Sequence, residues 1–119
     1  MNNFITTRIK SAGIALRGAY LLIKTEASVK VQLLIGVIMT LAGIYVHLSP
    51  TEWILQTLTI ALVMSVEGLN TAIEKTVDFI HPDHNDKIGF IKDIAAGAVF
   101  ITAVAAIVVG CIIYIPKLF

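Results

Sequence analysis

One apolar run that turns acidic without a break constrains this chain most. Ile54 to Val66 is interrupted only by Gln56, Thr57, Thr59 and Ser65, and it passes straight into V-E-G-L-N-T-A-I-E-K-T-V-D, Val66 to Asp78. No proline intervenes, and the one glycine, Gly68, is tolerable in a helix. The spacing predicts a helix on which Glu67, Asn70, Glu74 and Asp78 stand at i, i+3, i+7 and i+11. At about 100° per residue they share an arc of roughly 80°. Three carboxylates and an amide thus line one stripe at the end of a hydrophobic helix. An ionised group at the bilayer centre costs about 2.5–3.5 kcal/mol on the insertion scale, and neighbouring acids also repel. A hard divalent cation is a natural neutraliser. The plain alternative is a solvated helix end just outside the bilayer.

Composition sets that helix in a membrane. Of 119 residues, 57% are hydrophobic and 14% charged, and mean hydropathy is +0.88. Soluble domains average about 25% charged residues. One domain over residues 1–119 is expected at this length. A net charge of +1 points to no nucleic-acid partner. Lone Cys111 excludes an internal disulfide and reads as a small packing residue in an apolar segment. No early apolar core followed by a small-residue cleavage site is present, so no cleavable leader is expected. The expectation is an all-α integral membrane protein.

Residues 4–24 place Ile5, Ile9, Ala12, Leu16, Ala19 and Ile23 at helical spacing, with Arg8, Lys10, Arg17 and Lys24 off that stripe or at its edge. Such a basic amphipathic helix suits an anionic membrane surface, or else packs on the other helices. Glu26 follows at the junction. A first span is expected over about Val29 to Val46, with Lys30 and Gln32 at its entrance. In the turn from His47 to Glu52, Pro50 should stop one helix, and Ser49 or Thr51 can cap the next. His47 and Trp53 fit an interfacial belt.

A second span is expected over 53–80. At 1.5 Å per residue it is about 42 Å long, more than a roughly 30 Å hydrocarbon core. Its C-terminal third must emerge. Glu67 then lies inside the bilayer near the second face, about 21 Å from Trp53, with Glu74 and Asp78 at or beyond the interface. The polar connection His81-Pro82-Asp83-His84-Asn85-Asp86 has no cysteine and no standard zinc spacing. A third helix is expected from Lys87, its span covering about 92–115 with the apolar core from Ile94, and Pro116 ending it. Within it Ala98, Thr102, Ala106 and Gly110 form a small-residue seam for close helix packing.

Eight of the nine Lys and Arg lie at or before the entrance to the first span or between Lys75 and Lys92; only Lys117 is on the other side. The positive-inside rule puts the N-terminus and the 81–92 loop in the cytoplasm. The acidic stripe, Glu26, the surface helix and Lys92-Asp93 then meet at the cytoplasmic face, within reach of nucleotides and lipid headgroups. Two classes of function remain: an interfacial enzyme using a metal and a phosphate donor, and a small ion-coupled transporter using intramembrane carboxylates. A transporter wants its acid near the midplane with paths to both faces, so the displaced stripe favours the enzyme. No G-x-x-x-x-G-K-[ST] loop occurs, so a nucleotide site would not be of the P-loop type.

The run Glu67-Gly-Leu-Asn70-Thr-Ala-Ile-Glu74-Lys-Thr-Val-Asp78 resembles the defining motif of the small prokaryotic diacylglycerol kinase and undecaprenol kinase family. The three-span layout fits too, and Glu26, Gly89 and Lys92-Asp93 fall at the family's offsets. The resemblance implies a homotrimer with sites shared between protomers, and Mg2+- and ATP-dependent phosphorylation of a membrane lipid alcohol in the bacterial inner membrane. It implies that Glu67 is the general base, oriented with the help of Asn70, and that Glu26 and Glu74 hold the metal on the ATP phosphates. Lys10, Glu26, Glu74, Asp83, His84, Asn85, Lys92 and Asp93 would face the nucleotide, and Glu67 and Ala96 the lipid. The chain departs from the family at Ile14, where some members place an aromatic. It departs again at Ala95 and Ala96, where Gram-negative diacylglycerol enzymes have Gly and Ser. The run K-D-I-A-A-G-A-V resembles the undecaprenol kinase branch more closely.

Overall fold

The computed structural model describes residues 2–119. Four helices follow one another: α1 (Asn2–Thr25), α2 (Ala27–Val46), α3 (Pro50–Ile80) and α4 (Asp86–Leu118). The last three are each long and apolar enough to cross a membrane. Each expected helix is present; α2 and α3 end at Val46 and Ile80 as expected, and the other ends extend by one to six residues beyond the expected spans. Most large apolar side chains on these helices face outward, among them Leu34, Ile38, Leu41, Phe100 and Ile107. In water such a surface would drive association; in lipid it is the solvated face.

Local chemistry fixes each end. α2 stops at Val46 because His47 adopts the left-handed conformation, φ 60° and ψ 63°. The Leu48 N–H then donates to the Gly43 carbonyl at 3.1 Å and the His47 N–H to Ile44 at 3.3 Å, the paired closure of a Schellman turn. This corrects the expectation that Pro50 stops the helix; Pro50 instead opens α3 at its first turn, where its missing N–H costs nothing. Ser49 caps α3: its hydroxyl accepts from the Glu52 N–H at 3.2 Å, and Glu52 accepts from the Ser49 N–H at 2.9 Å. Pro116 does not end α4, which runs on to Leu118. In a last turn a proline removes one hydrogen bond, and the Phe119 N–H still reaches the Ile115 carbonyl at 3.0 Å.

The turn folds back tightly on α2. A Cβ on Gly43 would stand 2.7 Å from Leu48 Cδ1 and 2.8 Å from Trp53 Cη2, so glycine lets both side chains close onto the helix. Leu48, Ile113 and Tyr114 form the buried cluster there. Trp53 is thus half-buried against the protein as well as near a helix end. Above this cluster the Gln56 amide donates to the Met39 carbonyl at 3.0 Å, and Tyr114 shares its hydroxyl proton between Gln56 Oε1 and that same carbonyl. Three helices are tied through one polar knot inside the apolar layer.

α3 and α4 make the most extensive pairing. Of the small-residue seam, Thr102 is buried, Ala106 and Gly110 are half-buried, and Ala98 is exposed. Ala106 and Gly110 line a groove of ≈ 600 Å³ together with Gln32, Gly36 and Gln56. Nothing lies within 4 Å of where a Cβ on Gly110 would stand. The seam is therefore only partly filled by this chain. α1 differs from the other helices: Asn2 to Leu21 are all exposed, and only Leu22 and Ile23 are half-buried. Its apolar stripe is not packed on the rest of the chain. Arg8 lies over the Phe4 ring and Lys24 over Tyr20, at 5.2 and 5.7 Å from the ring centroids.

Candidate functional site

The acidic stripe forms on α3 as the spacing predicts, and its members meet different neighbours. Glu67 is half-buried and faces α2, where its Oε1 accepts from the Ser28 hydroxyl at 2.9 Å. Asn70, one turn on, is buried. Its Nδ2 donates to Glu74 Oε1 at 3.2 Å, while its Oδ1 is buried with no partner among the described residues. An unpaired buried acceptor carries a desolvation cost of about 1–3 kcal/mol, which a ligand donor or cation would relieve. Asp78 faces α4 and accepts from Lys92 Nζ at 2.6 Å.

Glu26 stands at the elbow between α1 and α2. Its backbone is extended, φ −106° and ψ 115°, and its side chain makes no cap bond to α2. The carboxylate points instead toward α3, with Oε1 3.6 Å from Lys75 Nζ. This elbow is anchored on α3 by Leu22, whose Cδ2 occupies a notch only 2.7 Å from where a Cβ on Gly68 would stand. Three contacts, Leu22 on Gly68, Glu26 on Lys75 and Ser28 on Glu67, thus bring the α1–α2 junction against the acidic part of α3.

The chain gathers Glu67, Asn70 and Glu74 on α3 with Glu26 nearby, and adds Lys92 through Asp78. It does not gather every expected residue. Lys10 sits exposed on α1, about 24 Å from Glu26 along the helix axis. Asp93 and Ala96 are exposed on α4. Asp83 and His84 lie in the connection, and Asn85 caps α4 by accepting from the Ile88 N–H at 2.8 Å. That cap occupies Asn85 Oδ1 and leaves its amide nitrogen, 3.4 Å from His81 Nε2. Among the described residues no three His, Cys, Asp or Glu side chains converge on one point. Ser28 and Lys75 are the partners that sequence reading missed. Ser28 had a signal, as the only hydroxyl within three residues of Glu26 apart from Thr25; its pairing with a residue 39 positions away had none.

The profile of the prokaryotic diacylglycerol kinase family matches residues 13–114. An undecaprenol kinase of Bacillus subtilis is 37% identical over 98% of this chain and 94% of its own length. A diacylglycerol kinase of Synechocystis is 32% identical over 98% of this chain and 65% of its own length. The diacylglycerol kinase of Escherichia coli K12 is 29% identical over 91% of this chain and 88% of its own. With an acid-lined helix end, three spanning helices and a family profile covering most of its length, the chain belongs to the prokaryotic diacylglycerol kinase family of membrane lipid kinases.

Proposed function

We propose that this protein transfers the γ-phosphoryl group of ATP to the hydroxyl of a membrane lipid alcohol, with undecaprenol ahead of diacylglycerol. The observation that carries the reading is the α3 stripe: Glu67 held through one oxygen by Ser28, beside Asn70 with an unpartnered buried oxygen. Glu67 Oε2 has no hydrogen-bond partner among the described residues and takes the proton of the lipid hydroxyl. The hydroxyl oxygen bonds to the γ-phosphorus as the bond to the departing ADP breaks. Transfer of this kind needs positioning, charge neutralisation and a base for the incoming hydroxyl. The K-D-I-A-A-G-A-V run and the similarity to the Bacillus subtilis undecaprenol kinase support the polyprenol.

Glu26 and Glu74 offer the hard oxygen donors that Mg2+ prefers, one or two carboxylates completed by nucleotide phosphates. The unpartnered Asn70 Oδ1 beside Glu74 fits the same role. Bound there, Mg2+ would neutralise charge on the phosphates. Lys92, Asp93 and the 83–85 connection face the nucleotide on this reading, Lys10 approaches from the surface helix, and Ala96 lies at the lipid. A homotrimer would bring Lys10 and Asp93, isolated within one chain, to sites shared with neighbours. The unfilled Gly110 face of the α4 seam supports such a contact. The charge distribution supports an inner-membrane location with the N-terminus and the acidic end cytoplasmic. The ion-coupled transporter finds no support: the acids gather at one end of the bundle, and the family to which the chain belongs is one of kinases.

The test is purified protein in lipid vesicles with labelled ATP and Mg2+, offered undecaprenol and diacylglycerol in parallel. Label should pass to the lipid, with higher kcat/KM for undecaprenol. Cation flux without lipid phosphorylation would overturn the kinase reading, and a preference for diacylglycerol would overturn the choice of lipid.

A further inference from the structure

We propose that Ser28 is a positioning residue for Glu67, fixing which carboxylate oxygen meets the lipid hydroxyl; this rests on the assignment of Glu67 as the base. The Ser28 hydroxyl donates to Glu67 Oε1 at 2.9 Å across the α2–α3 contact. It is the one hydrogen bond from another helix to that carboxylate among the described residues. A glutamate has three rotatable side-chain bonds, so an untethered carboxylate spreads over many rotamers. Holding Oε1 leaves Oε2 as the oxygen free to accept a proton and fixes its direction.

Two further features serve the same tether. Ser28 is the second residue of α2, whose Glu26 N-cap gives it no side-chain cap bond. The tether therefore comes from the first turn of α2, whose backbone is fixed by the helix. Leu22 seated over Gly68 then sets the distance between the junction and α3 on the adjacent residue. Next to Ser28, Val29 is fully buried, so the first turn of α2 cannot slide without unpacking. The hydroxyl is thus delivered from a fixed point to a flexible acid.

Positioning acts on turnover rather than on nucleotide capture. Ser28→Ala removes the donor and suits a helix. It should lower kcat by roughly 10- to 100-fold, the range of a hydrogen bond to a charged group, with the ATP KM unchanged within about twofold. Ser28→Thr keeps the hydroxyl and should restore most of kcat. Glu67→Gln is measured beside them, together with the thermal unfolding midpoint of each variant in vesicles. The inference stands if Ser28→Ala loses kcat alone, Ser28→Thr recovers it, and the midpoints agree. Wild-type kcat in Ser28→Ala, with Glu67→Gln inactive, overturns the inference and leaves the base in place. A drop that tracks a lowered midpoint or a raised ATP KM, or that Ser28→Thr fails to recover, assigns Ser28 a structural role and also overturns it. An active Glu67→Gln removes the base itself, and with it the reading on which the tether depends.

Discussion

At the turn between α2 and α3, Glu52 has every obligation met: it accepts from the Ser49 N–H, receives Ser49 as a cap in return, and pairs with Lys117 at 3.1 Å. Leu48 and Trp53 close over Gly43 beside it, and the nearby Gln56, Tyr114 and Met39 satisfy one another. At the opposite end of α3 the polar groups are only partly satisfied: Asp78 pairs with Lys92 and Glu67 takes one bond from Ser28, but others lack close partners. Glu26 and Lys75 are 3.6 Å apart with Lys75 largely exposed, and Asn70 keeps a buried oxygen with no partner. Both ends contain charged and polar groups at the edge of an apolar bundle. One end spends them on itself, and the other leaves them available. Self-satisfied groups hold a fold; unsatisfied ones at a helix end wait for a ligand.

Substitutions at the two ends should therefore separate chemistry from stability. The largest effect is expected from Glu67→Gln, which keeps shape and removes the proposed base: kcat should fall about 10²- to 10⁴-fold with ATP binding kept. Measured turnover near wild type would erase the contrast. Next come Glu26→Gln and Glu74→Gln, each removing a hard oxygen charge. The Mg2+ concentration for half-maximal activity should rise at least about tenfold in each, comparable to losses seen at metal-supporting residues. Unchanged Mg2+ titrations in both would show that these acids hold no metal.

At the turn, Gly43→Val drives a branched side chain into Leu48 and Trp53. A loss of about 1–3 kcal/mol in unfolding free energy is expected, with kcat per folded molecule unchanged. A variant that unfolds normally but turns over slowly would mean that the two ends are coupled. The smallest effect belongs to Glu52→Gln, and it depends on pH. The Ser49 backbone hydrogen bond, then Lys117, hold the Glu52 carboxyl below its ordinary 4.5. A depressed folded-state value stabilises the fold above the unfolded value and loses that contribution as pH falls through the folded one. Wild type should thus be slightly more stable than Glu52→Gln at neutral pH, and the difference should vanish at acid pH below both values. A difference that persists there would assign the effect to packing.

The helices and the acidic stripe were legible because both are periodic. A run such as Ile54 to Val66 states its length and exposure directly, and the spacing of Glu67, Asn70, Glu74 and Asp78 survives folding as one face. What the sequence did not show depends on single conformations or distant pairs. His47 in the left-handed region ends α2 three residues before the proline that looked like the stop. Pro116 looked like an end because proline breaks helices, yet a final turn has few hydrogen bonds left to lose. Tyr114 meets Gln56 across 58 positions and Ser28 meets Glu67 across 39. No local pattern carries such a match. Lys10, Asp93 and Ala96 are exposed and stand apart from the stripe in the single chain, so the fold of one chain does not join them to it.

Only one residue separates α1 from α2, and it is Glu26. A helix of 24 residues is about 36 Å long. Turning it by 10° about that single joint swings its far tip by about 6 Å. Leu22 clasps the short end of the lever on Gly68, while Phe4 and Arg8 ride the long end. Were that joint to turn, a shift of a fraction of an ångström where Glu26 reaches for a charge would be geared up into a sweep of several ångströms at the far tip, and a push on that tip would be geared down to a fine adjustment at the acid.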